Sequence, residues 1–148
     1  MKRTSGWLSP KEYRYIYRRV PRLVVDLVIR RRQAVLLAKR DITPDRGKWH
    51  LPGGRVRLGE RLEDAARRIA YEETGLEVKI GQMLGIIQYA SRGLRDLQSV
   101  GIVFPAGHSR GMIRGSRLGK TVAFHTKAPR PLVREHRAFL LKYHLLRF

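Results

Sequence analysis

The stretch that decides the fold runs from Gly53 to Leu76 and reads GGRVRLGERLEDAARRIAYEETGL. Residues 61–74 have the spacing of a helix, and Gly75 is typical of a helix stop. The helix ends on Glu72 and Glu73, where the last carbonyl groups already carry partial negative charge. The chain has 32 Lys plus Arg but only 12 Asp plus Glu. Two of these few acids, placed where they destabilise a helix, indicate a functional role.

Glu73 falls in the middle of the apolar face of this helix when the residues are placed at about 100° intervals. A carboxylate on such a face needs a cation. One candidate is an arginine; the other is a divalent metal ion held by Glu73, Glu72 and the backbone carbonyl of Gly53, since Mg²⁺ prefers oxygen ligands with room for phosphate. Arg68, one turn before Glu72, is within reach of an ion pair with it. The neighbours of Glu73 on the apolar face are Leu62, Ala66, Ile69 and Ala70.

The composition indicates a single domain over residues 1–148, with 43% hydrophobic residues. No apolar run approaches the length of a membrane span, and the first residues lack a signal-peptide core, so the cytoplasm is the expected location. The absence of cysteine excludes disulfides and thiolate metal sites. The net charge of +20 favours phosphates, polyanions or acidic partners.

The remaining pattern predicts a mixed α/β domain rather than a doubly wound sheet, because helices and strands alternate irregularly and hairpins occur. Ser9, Pro10 and Glu12 predict a capping box for a first helix that continues to about Val20. The last helix is predicted over 131–146. Loops are predicted over 41–54 and, rich in glycine and basic residues, over 107–120. Predicted strands span 23–29, 34–40, 76–90, 99–106 and 121–126.

Read from Gly54, the quoted stretch follows the pattern G-x5-E-x7-R-I-A-x-E-E-x-G-L. This resembles the box of the Nudix, or MutT-like, hydrolases, G-x5-E-x7-R-E-U-x-E-E-x-G-U, where U is a bulky aliphatic residue. The preceding segment 49–53, WHLPG, is also typical of that family. The resemblance implies the Nudix fold, an α/β/α sandwich with a mixed sheet. It also implies hydrolysis of a nucleoside diphosphate linked to another moiety, with Mg²⁺ or Mn²⁺ as cofactor. Glu72 and Glu73 would then bind the metal, and Arg68 would orient a box carboxylate.

The chain departs from the pattern at Ile69, where the family usually has a glutamate that contributes to metal binding or water activation. Two explanations remain open. The protein is a weak or inactive pyrophosphatase, or it belongs to a branch that does without this glutamate. One such branch resembles GDP-mannose mannosyl hydrolase, in which water attacks the anomeric carbon of the sugar. One metal ion on the diphosphate leaving group can suffice for that reaction.

Further residues resemble the same branch. Asp26, within the predicted strand LVVDLVI, matches a substrate-contacting position; the alternative is a strand with one wet face. Arg40 and Arg55 match diphosphate-binding arginines, and Arg40 thereby joins the candidate catalytic residues. Gln98 stands near the place of the branch's histidine base and is a candidate substrate contact. Of the five histidines, none is identified as the base, although His108 in the basic loop could move into the site.

Other functions stay open at this point. A Nudix pyrophosphatase would attack phosphorus in ADP-ribose or in oxidised or ordinary nucleoside triphosphates. The charge of +20 also allows a non-enzymatic nucleic-acid-binding Nudix domain, although no RNA-binding motif is present. The expected partner is a nucleotide, with base recognition from the loops 91–98 and 107–120. A homodimer is a further option, and no membrane partner is expected.

Overall fold

The computed structural model describes residues 8–43, 45–90 and 97–148, without the side chains of His108 and Ser109. Within these ranges it contains three helices and eight strands. The helices are α1 (Pro10–Tyr17), α2 (Leu62–Thr74) and α3 (Arg134–Lys142). The strands are β1 (Arg22–Arg31), β2 (Ala34–Lys39), β3 (Trp49–His50), β4 (Gly53–Arg55), β5 (Glu77–Ile80), β6 (Gly85–Gln88), β7 (Ser99–Arg110) and β8 (Thr121–His125). In the described part, no helix combines the length and the apolarity that a membrane crossing requires.

All eight strands form one mixed sheet, as predicted. The long strand β1 lies at its centre, parallel to β7 and antiparallel to β2 and β4. Strands β3 and β8 pair with β2, and β5 and β6 pair with β7. The segment Leu27–Ile29 of β1 is fully buried, as expected of a strand covered on both faces.

The two faces of the sheet carry separate hydrophobic clusters, which makes the predicted α/β/α sandwich. Successive side chains of a strand point to opposite faces, so alternate residues of β1 serve different clusters. On one face, Leu27 and Ile29 pack against Ala66 and Ile69 of α2. On the other face, Val28 packs in the cluster that contains Phe139 and Leu140 of α3.

Several predicted boundaries are wrong. The predicted strand 76–90 is two strands, β5 and β6, which both pair with β7. Ile80 lies opposite Ala106 and Gly85 opposite Val103, so four residues on one side face two on the other and the pairing is interrupted. Strand 99–106 continues to Arg110, since it pairs with both β1 and β5. The predicted loop 41–54 contains the short strand β3 and the first two residues of β4, and the first and last helices are shorter than predicted.

The capping box of α1 is present: Glu12 N donates to Ser9 Oγ over 3.3 Å, and Ser9 N donates to Glu12 Oε2 over 2.8 Å. No residue of α1 is buried. The helix is attached to the sheet through its tyrosines: Arg22 donates to the hydroxyl of Tyr13. The guanidinium of Arg55 lies 5.6 Å from the ring centre of Tyr13. These contacts place α1 beside the strands that carry the candidate site.

Candidate functional site

A cavity of about 560 Å³ brings together five of the residues singled out in the sequence. Asp26, Arg40, Gly53, Arg55 and Glu73 all line it. They come from β1, from the residue after β2, from β4 and from α2, so segments that are distant in sequence converge there. Further lining residues include Tyr13, Arg22, His50, Leu51, Tyr89 and His136.

Three other predicted site residues do not line this cavity. Glu72 lines a second, more open cavity of about 440 Å³, which also includes Glu73. Arg68, with 17% of its side chain exposed, contacts Glu60 and Glu72 instead. The contact that Gln98 makes is through its backbone carbonyl, which accepts a hydrogen bond from Arg22 N over 2.8 Å. Of the predicted base-recognition loops, residues 91–96 lie outside the described residues, as does the side chain of His108.

Arg68 organises the outer carboxylates of the box. Its guanidinium forms two hydrogen bonds to Glu60, Nε to Oε2 over 2.7 Å and Nη2 to Oε1 over 2.9 Å. It also reaches Glu72 over 3.0 Å and the backbone carbonyl of Arg55 over 2.9 Å. Hydrogen bonding from Arg68 lowers the pKa of Glu60. The ion pair with Glu72 is the one that helical spacing predicts, and it leaves the carboxylate of Glu72 at the surface, with 43% of the side chain exposed.

The negative end of α2 is neutralised from outside the helix. The last turn of α2 contains no basic residue. Arg114, in the loop after β7, instead donates to the carbonyl of Tyr71 over 3.1 Å and lies 5.1 Å from the centre of its ring. The amide of Arg114 donates to the carbonyl of Thr74 over 2.9 Å. A cation at this end stabilises the helix and offsets the unfavourable charge of the two terminal glutamates.

Glu73 is half-buried and accepts a hydrogen bond from Ser116 Oγ over 2.9 Å. Burial raises the pKa of Glu73; the hydrogen bond from Ser116 and the positive charge of Arg40 oppose that effect. Arg40 is itself half-buried, and this burial lowers its pKa. The carboxylate of Glu73 therefore lies on the cavity wall beside a cation, in a setting that a bound positive charge would stabilise.

Ile69 is a core residue in the structure, with 1% of its surface exposed. It packs beneath the glycine pair, so that a Cβ on Gly54 would lie 3.2 Å from Ile69 Cγ1. Within residues 8–43, 45–90 and 97–148, no three His, Asp or Glu side chains are grouped to hold a metal ion. Asp26, Asp45 and Glu135 also line the cavity, but the donors that adjoin one another on α2 are the carboxylates of Glu72 and Glu73. This set fits one magnesium ion that keeps water or phosphate ligands, and it does not fit a metal cluster.

Asp26 occupies a narrow slot between two glycines. Gly53 on β4 pairs with Asp26 from one side, and Gly101 lies nearby on β7. A Cβ on either glycine would overlap the carboxylate. Asp26 is 4% exposed, and burial raises its pKa to about 7, opposed by a hydrogen bond from Tyr89. The expectation of one wet strand face is wrong, because the carboxylate is buried against protein groups.

Tyr89 and His136 connect Asp26 to the backbone on the far side of the cavity. The Tyr89 hydroxyl donates to Asp26 Oδ2 over 2.7 Å and lies 2.5 Å from His136 Nε2. Leu51 N donates to His136 Nδ1 over 3.0 Å. His136 is buried, and burial lowers its pKa to about 3. Sequence reasoning missed Tyr89, His136 and Gly101. The one available signal was the spacing of His136 with Phe139 and Leu140 on the buried face of the last helix.

Two further arginines, Arg22 and Arg55, line the cavity. Arg22 Nε donates to Ser99 Oγ over 3.0 Å, and Arg55 Nη1 donates to the hydroxyl of Tyr17 over 3.4 Å. Together with Arg40, these arginines give the cavity three guanidinium groups. Arginines bind diphosphates well because each offers several donors in one plane.

A family model described as NUDIX domain matches residues 20–110. The chain is 45% identical over 78 residues to the low-salt glycan biosynthesis protein Agl8 of Haloferax volcanii, a match that covers 53% of this chain and 50% of that protein. It is 39% identical over 95 residues to the ADP-ribose pyrophosphatase of Methanocaldococcus jannaschii, covering 64% of this chain and 54% of the relative. These matches thus span about half the length of the two curated relatives.

The fold is also similar to a solved structure. The MutT NUDIX hydrolase of Burkholderia pseudomallei superposes with a TM-score of 0.75 at 27% sequence identity. The superposition covers 82% of this chain and 97% of that one. The three-layer arrangement described above is therefore also found in that protein.

Proposed function

Since the chain belongs to the Nudix family, we propose that it hydrolyses a nucleoside diphosphate sugar with one essential magnesium ion. GDP-mannose is the model substrate of this proposal. Water attacks the anomeric carbon of the sugar, the bond from that carbon to the diphosphate oxygen breaks, and an intact nucleoside diphosphate leaves. A proton from the water is released to the solvent.

The observation that carries this proposal is Ile69, which is buried beneath Gly54 and stands where the family usually has a glutamate. The box therefore has one carboxylate fewer, and Glu73 and Glu72 remain as the acidic donors of α2 near the cavity. Attack at phosphorus by a metal-bound hydroxide is favoured by a cluster of metal ions. Attack at carbon requires chiefly that the charge developing on the leaving diphosphate be neutralised, and one ion with nearby arginines supplies that.

Each half of the substrate has a matching part of the cavity. Arg40 and Arg55 bind the diphosphate, and the carboxylates of Glu73 and Glu72 with the Gly53 carbonyl hold the magnesium ion. The ion, when bound, neutralises charge on the leaving diphosphate as a Lewis acid. Arg68 keeps Glu72 in place through the 3.0 Å ion pair. Asp26 contacts the part of the substrate that carries no phosphate.

Two relatives support the substrate class. One relative is a glycan biosynthesis protein, and the other is an ADP-ribose pyrophosphatase. ADP-ribose is itself a nucleoside diphosphate joined to a sugar. The proposal that water attacks carbon rests on the residues of the box in this chain and not on the two relatives.

The test is a substrate screen followed by an isotope assignment. Nucleoside diphosphate sugars, dinucleoside polyphosphates and oxidised nucleotides are incubated with magnesium, and the turnover of the best substrate is repeated in oxygen-18 water. The proposal expects a nucleotide sugar as the best substrate, with the label in the released sugar. Label in the phosphate product would overturn it, and the protein would be a Nudix pyrophosphatase that tolerates Ile69.

A further inference from the structure

We propose that a buried network, formed by the Leu51 amide, His136, Tyr89 and Asp26, holds the Asp26 carboxylate as the acceptor for a hydrogen-bond donor on the phosphate-free part of the substrate. Tyr89 and His136 are positioning residues, since they act through Asp26. The inference rests on the proposed function for the identity of the substrate. It adds the residues that select among substrates and the chemical group that they select.

The hydrogen bonds of the network have one direction. The Leu51 amide can only donate, so His136 Nδ1, 3.0 Å away, accepts. A neutral imidazole that accepts at Nδ1 carries its hydrogen on Nε2. This hydrogen points to the Tyr89 oxygen at 2.5 Å. The hydrogen of Tyr89 is then directed to Asp26 Oδ2, 2.7 Å away.

The bond from His136 Nε2 to the Tyr89 oxygen cannot reverse while the ring of His136 stays neutral. His136 is 4% exposed, and this burial lowers its pKa, with the positive charge of Arg40 acting in the same direction. Reversal would require a second hydrogen on this ring or a proton taken from the Leu51 amide. The network therefore ends at Asp26 with a donor pointing toward it.

The position of Asp26 is fixed by its neighbours as well as by this hydrogen bond. Gly53 and Gly101 lie so close that a side chain at either position would overlap the carboxylate. His136 Nε2 lies 3.9 Å from Asp26 Oδ1, beyond hydrogen-bond distance. Within the described residues, Tyr89 provides the one hydrogen bond to the carboxylate. A carboxylate offers about four acceptor sites, so Asp26 retains acceptor capacity on the cavity wall.

The charges of the cavity decide which part of a nucleotide sugar reaches Asp26. Arg22, Arg40 and Arg55 attract the diphosphate, whereas a carboxylate repels it. A hydroxyl of the sugar or an N–H of the nucleobase is an uncharged donor that satisfies an acceptor in this position. Sites that hydrogen-bond a substrate donor reject analogues without it, because the buried acceptor is then left unpaired.

The experiment uses Tyr89→Phe and Asp26→Asn, with Tyr143→Phe as the matched control. Tyr143 loses the same hydroxyl but packs against Phe139 instead of joining the network. For each protein, kcat and KM are measured on the best substrate of the wild type, on its deoxy-sugar analogues and on analogues whose base lacks one N–H. The affinity for the free nucleoside diphosphate is measured by calorimetry, and thermal unfolding shows that each variant is folded.

We expect Tyr89→Phe and Asp26→Asn to lower kcat/KM about ten- to hundredfold, the range for a hydrogen bond to a charged group. If the donor is a hydroxyl of the released sugar, the affinity for the free nucleoside diphosphate should change less than about twofold, because the free nucleotide lacks that sugar; if the donor is a base N–H, this affinity should fall about as much as kcat/KM. The loss should vanish on one analogue: a deoxy-sugar identifies a hydroxyl as the donor, and a base analogue identifies an N–H. Equal losses on every analogue, or a response equal to that of Tyr143→Phe, would overturn the inference.

A second readout needs no substrate. The ring nitrogens of His136, observed by nitrogen-15 NMR, should show hydrogen on Nε2 and none on Nδ1 in the wild type, and the Nε2 signal should shift in Tyr89→Phe. The opposite tautomer would overturn the network. Failure of the proposed function is distinct, because it would appear as phosphate-labelled product from the wild type.

Discussion

At the scale of single residues, Glu73 combines burial, a neutral hydrogen-bond donor and a neighbouring arginine. Ser116 donates to it over 2.9 Å, and Arg40 favours its charged form. A serine hydroxyl is a weak partner for a carboxylate compared with a divalent cation. A metal ion is therefore expected to displace Ser116 and to stabilise the folded protein by binding to it.

We predict that Glu73→Gln abolishes most of the stabilisation by magnesium. At a concentration of about 100 times Kd, the ion should raise the Tm of the wild type by about 5–10 °C. Thermal shift and calorimetric titrations measure the effect. Glu77→Gln is the control, since Glu77 is paired with Arg110 at the surface. Equal responses of the wild type and Glu73→Gln would show that Glu73 does not bind the metal.

We predict that Gly101→Ala destabilises the protein by about 1–3 kcal/mol, because its Cβ overlaps the Asp26 carboxylate. Gly107→Ala is the matched control on the same strand, with nothing within 4 Å of its Cβ. Urea unfolding measures both. Adding Asp26→Ala to Gly101→Ala should cost less than the two single changes predict separately, and strict additivity would contradict the overlap.

His136 gives the stability a defined pH dependence. Its pKa is about 3 in the folded protein and about 6.5 in an unfolded chain. Between these values the unfolded state binds a proton that the folded state does not, so the contribution of His136 is complete above about pH 6.5 and is lost as the pH falls. The pKa of Asp26 is raised, so its contribution to stability changes with pH in the opposite direction. Comparing the wild type with a variant that keeps Asp26 and lacks His136 isolates the contribution of the histidine.

We predict that the difference in unfolding free energy between the wild type and His136→Gln decreases as the pH falls from 7 to 5. The slope should approach, and not exceed, about 1.4 kcal/mol per pH unit. Urea unfolding at half-unit steps of pH measures it. A difference that is constant over this range would mean that His136 titrates normally in the folded state.

At the scale of elements, the predictions that depended on local pattern are the ones that the structure confirms. The helix predicted over 61–74 is α2, Leu62–Thr74, because its apolar spacing and its glycine stop both lie within the element. The strand predicted over 76–90 was wrong, because its interruption is a change of register against β7, a strand that comes later in the chain. The pairing with that strand cannot be predicted from residues 76–90 alone.

The same distinction applies to the site. The resemblance to the box pointed to Glu73, the resemblance to the mannosyl hydrolase branch pointed to Arg40 and Arg55, and the cavity brings the three together. Tyr89 and His136 were not found, since Tyr89 lies 63 residues from Asp26 and 47 residues from His136 along the chain. A hydrogen bond between such distant residues is fixed by the packing of α3 on the sheet, and no local sequence motif predicts it.

The loop after β7 is expected to act as an external cap for α2. We predict that Arg114→Ala destabilises the protein by about 0.3–2 kcal/mol, the range for a cation at a helix C-terminus. It should also increase the hydrogen exchange of the last turn of α2. Arg117→Ala, in the same loop, is the control. Equal effects of the two changes would show that the contact of Arg114 with the Tyr71 carbonyl is without consequence.

At the scale of the whole molecule, the net charge of +20 surrounds a cavity that contains three arginines. A phosphate-bearing ligand is attracted over distances set by the Debye length, about 10 Å at 0.1 M salt. The same charge permits binding of nucleic acid, which stays a prediction. Attraction of this kind raises the rate of association more than it determines the chemistry.

We predict that kcat/KM for the nucleotide substrate falls about tenfold or more between 10 mM and 200 mM salt, with little change in kcat. Initial rates at constant magnesium and varied potassium chloride measure this. A neutral crowding solute at matched osmolarity is the control. A kcat/KM that is independent of salt would mean that the basic surface takes no part in capturing the substrate.

The slot between Gly53 and Gly101 also restricts how this protein can evolve. A larger residue at either glycine meets the Asp26 carboxylate, so neither glycine can be replaced first without loss of stability. Replacement of Asp26 by a smaller residue removes the obstruction and leaves both glycines free to vary. Descendants that recognise a different ligand group are therefore expected to have lost the aspartate first and the glycines afterwards. The narrow space between the strands at Asp26 thus determines the order in which these three residues can be replaced.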